Sequence, residues 1–242
     1  MPIRNALVLR CWLALLLWAA GTSSAFAQAP TSDMTPRVAA CVTCHGRDGQ
    51  ATHSGYFPRI AGKPAGYLYE QLRNFRDGRR LQPAMNHLLT NLSDAYLREM
   101  AEYFAALRYP YPAPAASDQS AEVLAHGRTL VFEGDSSRGL PACASCHGAA
   151  LTGVEPGIPG LLGLPRLYIA SQLGAWLTHE RHALAPDCMA EVGRLLQPAD
   201  IQAVAGWLSA QPMPAVTQAA AAPAQPLPRP CSAQGATAGV AR

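Results

Sequence analysis

Six side chains stand out for what their spacing could do. Cys41 and Cys44 lie three residues apart with His45 directly after them, and 102 residues later Cys143, Cys146 and His147 repeat the arrangement. Two thiols at that spacing can reach the two vinyl groups of one porphyrin, and the histidine that follows is carried onto the iron as its proximal ligand, so C-x-x-C-H is a haem attachment signature. A single copy leaves room for a redox dithiol, half of a zinc site or, in an exported protein, a disulfide. Two copies, each followed by glycine and set in a longer repeat, point to two covalently bound c-type haems.

Iron held by one histidine needs a ligand on its other face, and the repeat selects it. Met85 lies 44 residues after Cys41 and Met189 lies 46 after Cys143, at matching positions. Met34 has no methionine opposite it in the second copy, Met100 aligns with Val204 and reads as helix core, and Met213 lies in the tail. A thioether opposite histidine raises the reduction potential and leaves a six-coordinate iron closed to small ligands. His87, His179 and His182 are the alternatives, but isolated histidines in polar stretches read as surface residues, as do His53 and His126. Cys188 adjoins Met189 and has no counterpart in the first copy; with Cys231 it makes an even pair once the attachment thiols are set aside. A disulfide, two free thiols and thiolate ligation of the second iron remain open, in that order.

The elements that must position these groups come in duplicate. At an offset of 101, Pro58, Gly62, Tyr67, Gln71, Leu72 and Arg80 meet Pro159, Gly163, Tyr168, Gln172, Leu173 and Arg181, with Phe75 opposite Trp176; at 104, Met85, Leu92, Ala101 and Tyr103 meet Met189, Leu196, Ala205 and Trp207. Small insertions between nearly equal offsets are what duplication of one domain leaves. Apolar spacing predicts helices over 66–75 and 164–177, a helix capped by Ser93 and running through Leu107 with Leu97, Met100, Ala101 and Phe104 buried, and its counterpart from Pro198 through Leu208. No alternating apolar run bounded by hairpin turns is present, so the expected fold is all-α: two tandem copies of one helical domain over 28–112 and 120–211, joined by a Pro-rich linker at 113–119. An Ala/Pro-rich tail, 212–242, is expected to extend from the body without a core of its own.

Residues 1–27 carry Arg4 and Arg10, an apolar run and a final Ala25-Phe26-Ala27, the shape of a secretory signal cleaved near Ala27. That predicts a periplasmic protein, with membrane association peripheral at most. The formal charge of +3 gives no footprint for nucleic acid, but residues 28–112 sum to +3 and 113–242 to −2, which can orient an encounter with a charged partner. The cluster Arg73, Arg76, Arg79 and Arg80 recurs only as Arg181; it reads as a solvated helix end, as a docking edge, or, for Arg80 and Arg181, as a propionate contact.

Laid out this way the chain resembles the cytochrome c4 family of di-haem class I cytochromes c, from about Val38 to Ala210. The resemblance rests on CVTCHGRDG, FPRIAGKPAGYLYEQLRNFRDGRR, Met85 and NLSDAYLREMAEYFAAL in the first copy, and on CASCHG, IPGLLGLPRLYIASQLGAW, Met189 and LLQPADIQAVAGWLSAQ in the second. It implies two domains about an approximate two-fold axis, haems near their interface, and ligand pairs His45 with Met85 and His147 with Met189. It also implies a non-enzymatic carrier of single electrons between respiratory partners, commonly toward a terminal oxidase. The alternative is a haem subunit of a periplasmic oxidoreductase, or such an enzyme itself, a sulfur-compound dehydrogenase or a peroxidase; Cys188 is the feature that favours it. A lone lysine (Lys63), the tail and the extra cysteine pair depart from the family pattern and bear on the partner surface.

Overall fold

The computed structural model describes residues 33–52, 54–114 and 116–233. The expected leader and its cleavage site, His53 and the end of the tail lie outside them. Among the described residues no helix is long and apolar enough to cross a membrane.

In chain order the first half holds α1 (Met34–Arg37), α2 (Ala39–His45), α3 (Ala65–Arg76), α4 (Pro83–Leu89) and α5 (Asp94–Ala106). The second holds α6 (Ala121–Phe132), α7 (Ala144–His147), α8 (Arg166–Leu177), α9 (Cys188–Leu195) and α10 (Pro198–Ser209). Among the described residues the fold is all-α but for isolated bridges and one two-residue antiparallel ladder, β1 (Gly153–Val154) with β2 (Ile158–Pro159). That pair is too short to show as an alternating pattern in the sequence.

Repeated residues make repeated helix starts. Pro64 and Pro165 take the N-cap positions of α3 and α8 with extended ψ values of 135° and 144°; proline lacks the N–H that a first turn leaves unpaired and pre-sets φ. Ser93 accepts from the Tyr96 N–H at 3.2 Å and so opens α5, as expected. At α10 Asp200 and Gln197 form a reciprocal capping box, and Asp200 also receives Arg138 at 2.7 Å and His126 at 2.8 Å. His126 is a surface residue, as expected, whose ring is also tied to the buried Asp200 carboxylate.

Each half buries its own core. Leu97, Met100, Ala101 and Phe104 of α5 pack with Leu68, Tyr69 and Phe75 of α3 and with Val38 and Leu89. In the second half Ile201, Val204, Ala205 and Leu208 of α10 pack with Leu130 and Val131 of α6, Ile169 of α8 and Leu196. Full burial of such side chains stabilises by about 1.5–3 kcal/mol each.

The halves are joined by a self-complementary contact that the repeat itself builds. Arg80 and Arg181 face each other across an antiparallel backbone bridge, flanked by Leu81 N–H to Glu180 O at 2.8 Å and His182 N–H to Arg79 O at 2.6 Å. The Arg80 guanidinium donates to Gln71 at 2.9 Å, to Tyr168 at 3.1 Å and to Gln172; Arg181 donates to Gln172 at 2.9 Å and Gln71 at 3.0 Å. Arg80 lies over Phe75 at 4.4 Å, and Arg181 over Trp176 at 3.8 Å. Arg73, Arg76 and Arg79, by contrast, are bound to Glu70, Asp77 and Asp94, so the four arginines do not make a free basic docking edge.

The segment leading into the linker and the tail are both held down. Arg59 donates to the carbonyls of Tyr109 and Pro110 at 2.7 and 3.0 Å and stacks on Tyr111 at 4.0 Å. The tail differs from the expectation of a free extension. Ala220 pairs with Gly153 and Glu155 at 2.9 and 2.8 Å, Arg229 bonds Glu191 at 2.9 Å, and Cys231 forms a disulfide with Cys188. Backbone hydrogen bonds and a covalent link hold a segment whose composition could not make a core.

Gln71→Leu leaves buried N–H groups of both Arg80 and Arg181 short of an acceptor, at about 2–3 kcal/mol. The thermal midpoint followed by circular dichroism should fall by roughly 5 °C or more. A midpoint within about 1 °C of the parent would show that this contact does not limit stability.

Candidate functional site

Each C-x-x-C-H motif ends a short helix, α2 or α7, and the chain then turns at once. Gly46 has φ 78° and ψ 166°, and a Cβ there would sit 2.3 Å from the Ala51 carbonyl oxygen. That is a conformation open essentially to glycine alone; Gly148 repeats the turn at φ 84° and ψ 149°. The turn sends the chain round a loop that returns as a proline carbonyl. His45 Nδ1 lies 2.8 Å from Pro58 O, and His147 Nδ1 lies 2.7 Å from Pro159 O. A carbonyl can only accept, so Nδ1 carries the proton and Nε2 keeps its lone pair, the tautomer of a histidine ligand held by its outer-shell partner.

The electrostatics agree. Burial brings both imidazoles below the usual histidine range, which the proline carbonyls partly offset, with Arg80 adding to the lowering at His45 and Lys63 at His147. The neutral form is the one that binds a metal. Burial pushes the thiols of Cys41 and Cys146 up, and that of Cys143 up to about 11. A redox-active dithiol needs the opposite shift. Cys41 and Cys44, and likewise Cys143 and Cys146, are not joined to each other, so neither motif is closed as a disulfide. Among the described residues no three His, Cys, Asp or Glu side chains gather as a zinc site would require.

The methionines lie on matching short helices. Met85 is in the first turn of α4, where the Gln82 side chain accepts from the Met85 N–H at 2.8 Å, and it packs half-buried on the first core. Met189 is in the first turn of α9, capped by Asp187 accepting from the Ala190 N–H at 3.0 Å. His87, His179 and His182 are exposed, the last two stacked on each other at 5.8 Å. Cys188 is committed to Cys231, which removes the thiolate-ligand reading.

Two features fit a haem, whose propionates are acidic. Trp176 Nε1–H is buried with no hydrogen-bond acceptor. Arg80 and Arg181 are buried with only amide and phenol oxygens as partners. Unpaired N–H groups and cations lacking a carboxylate are the donor set a propionate would satisfy. The repeat marked Trp176 through its match to Phe75, but an orphaned N–H has no signal in sequence. Nor do the carbonyls of Pro58 and Pro159, since backbone oxygens carry no residue type.

Comparison with known proteins agrees with this geometry. A family model described as cytochrome c oxidase, cbb3-type, subunit III matches residues 37–104. The thiosulfate dehydrogenase electron acceptor of Thiomonas intermedia is 37% identical over 220 residues, 91% of this chain and 97% of the relative. Cytochrome c4 of Pseudomonas aeruginosa is 34% identical over 162 residues, 66% of this chain and 78% of the relative. The solved thiosulfate dehydrogenase TsdBA from Marichromatium purpuratum aligns with TM-score 0.64 and 33% identity, over 72% of this chain and 36% of that one. This chain therefore spans about a third of the TsdBA chain. The two motifs are those of two haem c groups.

Gly46→Ala puts a methyl group against the Ala51 carbonyl in a backbone region that costs about 1–3 kcal/mol for a residue with a Cβ. The mature protein should lose haem at the first motif, read by intact mass as a shift from two attached haems to one. Full two-haem occupancy in this variant would show that the turn is not needed to present His45.

Proposed function

We propose that this chain, which belongs to the cytochrome c4 family of di-haem electron carriers, accepts single electrons from a thiosulfate dehydrogenase in the periplasm and passes them to a respiratory acceptor. The haems supply one-electron iron chemistry; the protein's part is to bind, orient and screen them. Cys41 and Cys44 hold the first haem and Cys143 and Cys146 the second. His45 with Met85, and His147 with Met189, are the axial pairs.

The carrier reading is carried by the symmetry of the donor sets. Both halves present a carbonyl-locked histidine and a methionine on a capped helix, and neither keeps a free thiolate or an open position built by a different residue. An enzyme built on two haems needs at least one labile site, and the feature that suggested one, Cys188, is spent in a disulfide. The donor is inferred from the Thiomonas relative, named as an electron acceptor and similar along nearly the whole chain. A terminal oxidase as final acceptor rests on the family resemblance. The leader-like 1–27 segment and the Cys188–Cys231 pair favour an oxidising, exported setting.

Optical spectra of the ferric and ferrous protein, with carbon monoxide added to the latter, test the coordination. Both haems should be low-spin, show the methionine-to-ferric-iron band and ignore the gas. Met189→Ala should open the second haem alone to carbon monoxide and lower its potential. Mixing with a thiosulfate dehydrogenase and thiosulfate should reduce both haems of the parent protein. Carbon monoxide binding by the unaltered protein would move the enzymatic reading to the front.

A further inference from the structure

Lys63 is the single lysine of the chain, and it is buried, at 6% exposure, where the halves meet. It belongs to the first half, in the loop before α3, yet its Nζ donates across the interface to the Gly160 carbonyl of the second half at 3.2 Å. Gly160 directly follows Pro159, whose carbonyl holds His147 Nδ1 at 2.7 Å. The ammonium therefore sits one peptide away from the group that orients and polarises the second proximal histidine. No carboxylate forms an ion pair with Lys63 among the described residues, and the charge that acts on it is that of another cation, Arg59.

Such a placement is expensive for folding. A buried charge without a counter-ion costs several kcal/mol, and burial with Arg59 nearby brings the Lys63 pKa down to about 8, so the ammonium form still dominates at neutral pH. The repeat shows the cheaper solution: Lys63 aligns with Leu164, an apolar residue. The arginine pair is shared symmetrically between the halves, whereas this cation has no counterpart. A positive charge beside an iron's ligand disfavours the ferric state relative to the ferrous, and so raises the potential.

We propose that Lys63, reaching from the first half, is a positioning residue that raises the reduction potential of the haem bound at Cys143, Cys146 and His147. The inference rests on His147 being the iron ligand, as in the reading above. It makes the potential of one haem depend on the seating of the other domain, so two sites with the same ligand pair differ electrostatically.

The test is spectroelectrochemical titration of the two-haem protein in the parent and in Lys63→Met and Lys63→Gln, with Met189→His marking the wave of the second haem. Each variant should lower the potential of the second haem by about tenfold in its reduced-to-oxidised ratio, or 59 mV for one electron, and leave the first within twofold. Thermal stability should stay level or rise, because the uncompensated charge is gone; a purely structural lysine would lower stability and leave both potentials in place. Lys63→Gln keeps a hydrogen-bond donor for the Gly160 carbonyl, so a potential retained there but lost in Lys63→Met would overturn the charge argument in favour of the hydrogen bond. Equal shifts of both waves, a shift of the first alone, or no shift would also overturn it. A parent spectrum lacking two low-spin haems would instead count against the ligand assignment, independently of the variants.

Discussion

The hydrogen bond from Nδ1 of each motif histidine to a proline carbonyl is the constraint on which the rest of the architecture turns. It selects the tautomer that leaves Nε2 free, sets the ring's orientation, and closes the loop that begins at Gly46 or Gly148. To bring the carbonyl of Pro58 or Pro159 back to the ring, the chain must reverse within a dozen residues. The positive φ after the histidine does this in the first half, and the β1–β2 ladder reinforces it in the second. The proline that accepts at its carbonyl also leads into the segment that starts α3 or α8. The helix that carries the interface residues is thus registered on the site that holds the haem.

This registration explains why duplication produced an interface as well as two sites. Gln71 and Arg80 lie on and just beyond α3, Gln172 and Arg181 on and just beyond α8, and each arginine finds the other half's glutamine. A reciprocal contact between repeat-related residues is self-complementary by construction. Its chemistry is unusual for a folded interior, with two guanidiniums satisfied by amide and phenol oxygens and by aromatic faces. The orphaned Trp176 Nε1–H belongs to the same region. The protein alone leaves this junction short of negative charge, and the propionates of two bound haems would supply it.

Much of the architecture could be read from residue types, because the two copies check each other. The helices over 66–75 and 164–177, the helix starts at Ser93 and Pro198, the buried stripe on α5 and the paired motifs all follow from local chemistry, while the Pro64 and Pro165 caps sharpen two of those boundaries. What escaped had no such second witness. The helix over Ala121–Phe132 has a Ser120 cap accepting from the Val123 N–H at 3.4 Å, but no repeat match drew notice to it. In the Ala- and Pro-rich tail the Cys188–Cys231 disulfide is legible from cysteine parity, but the backbone pairing at Ala220 is not, because backbone groups carry no residue type. Arg80 and Arg181 stand out as a matched pair in the repeat, but that they face each other across the interface depends on how the halves pack.

Where the copies disagree, the differences gather around the second site. Trp176 replaces Phe75, Cys188 has no partner residue in the first half, the tail closes over the second half through Arg229 and Cys231, and Leu164 stands opposite Lys63. Cys44 is exposed while Cys146 is half-buried, so the second motif is the more enclosed of the two. A duplicated carrier needs no such asymmetry merely to hold two haems. It does need one to give electron flow a direction, because two identical sites exchange electrons without preference. Enclosure and a nearby buried cation both distinguish the second site from the first.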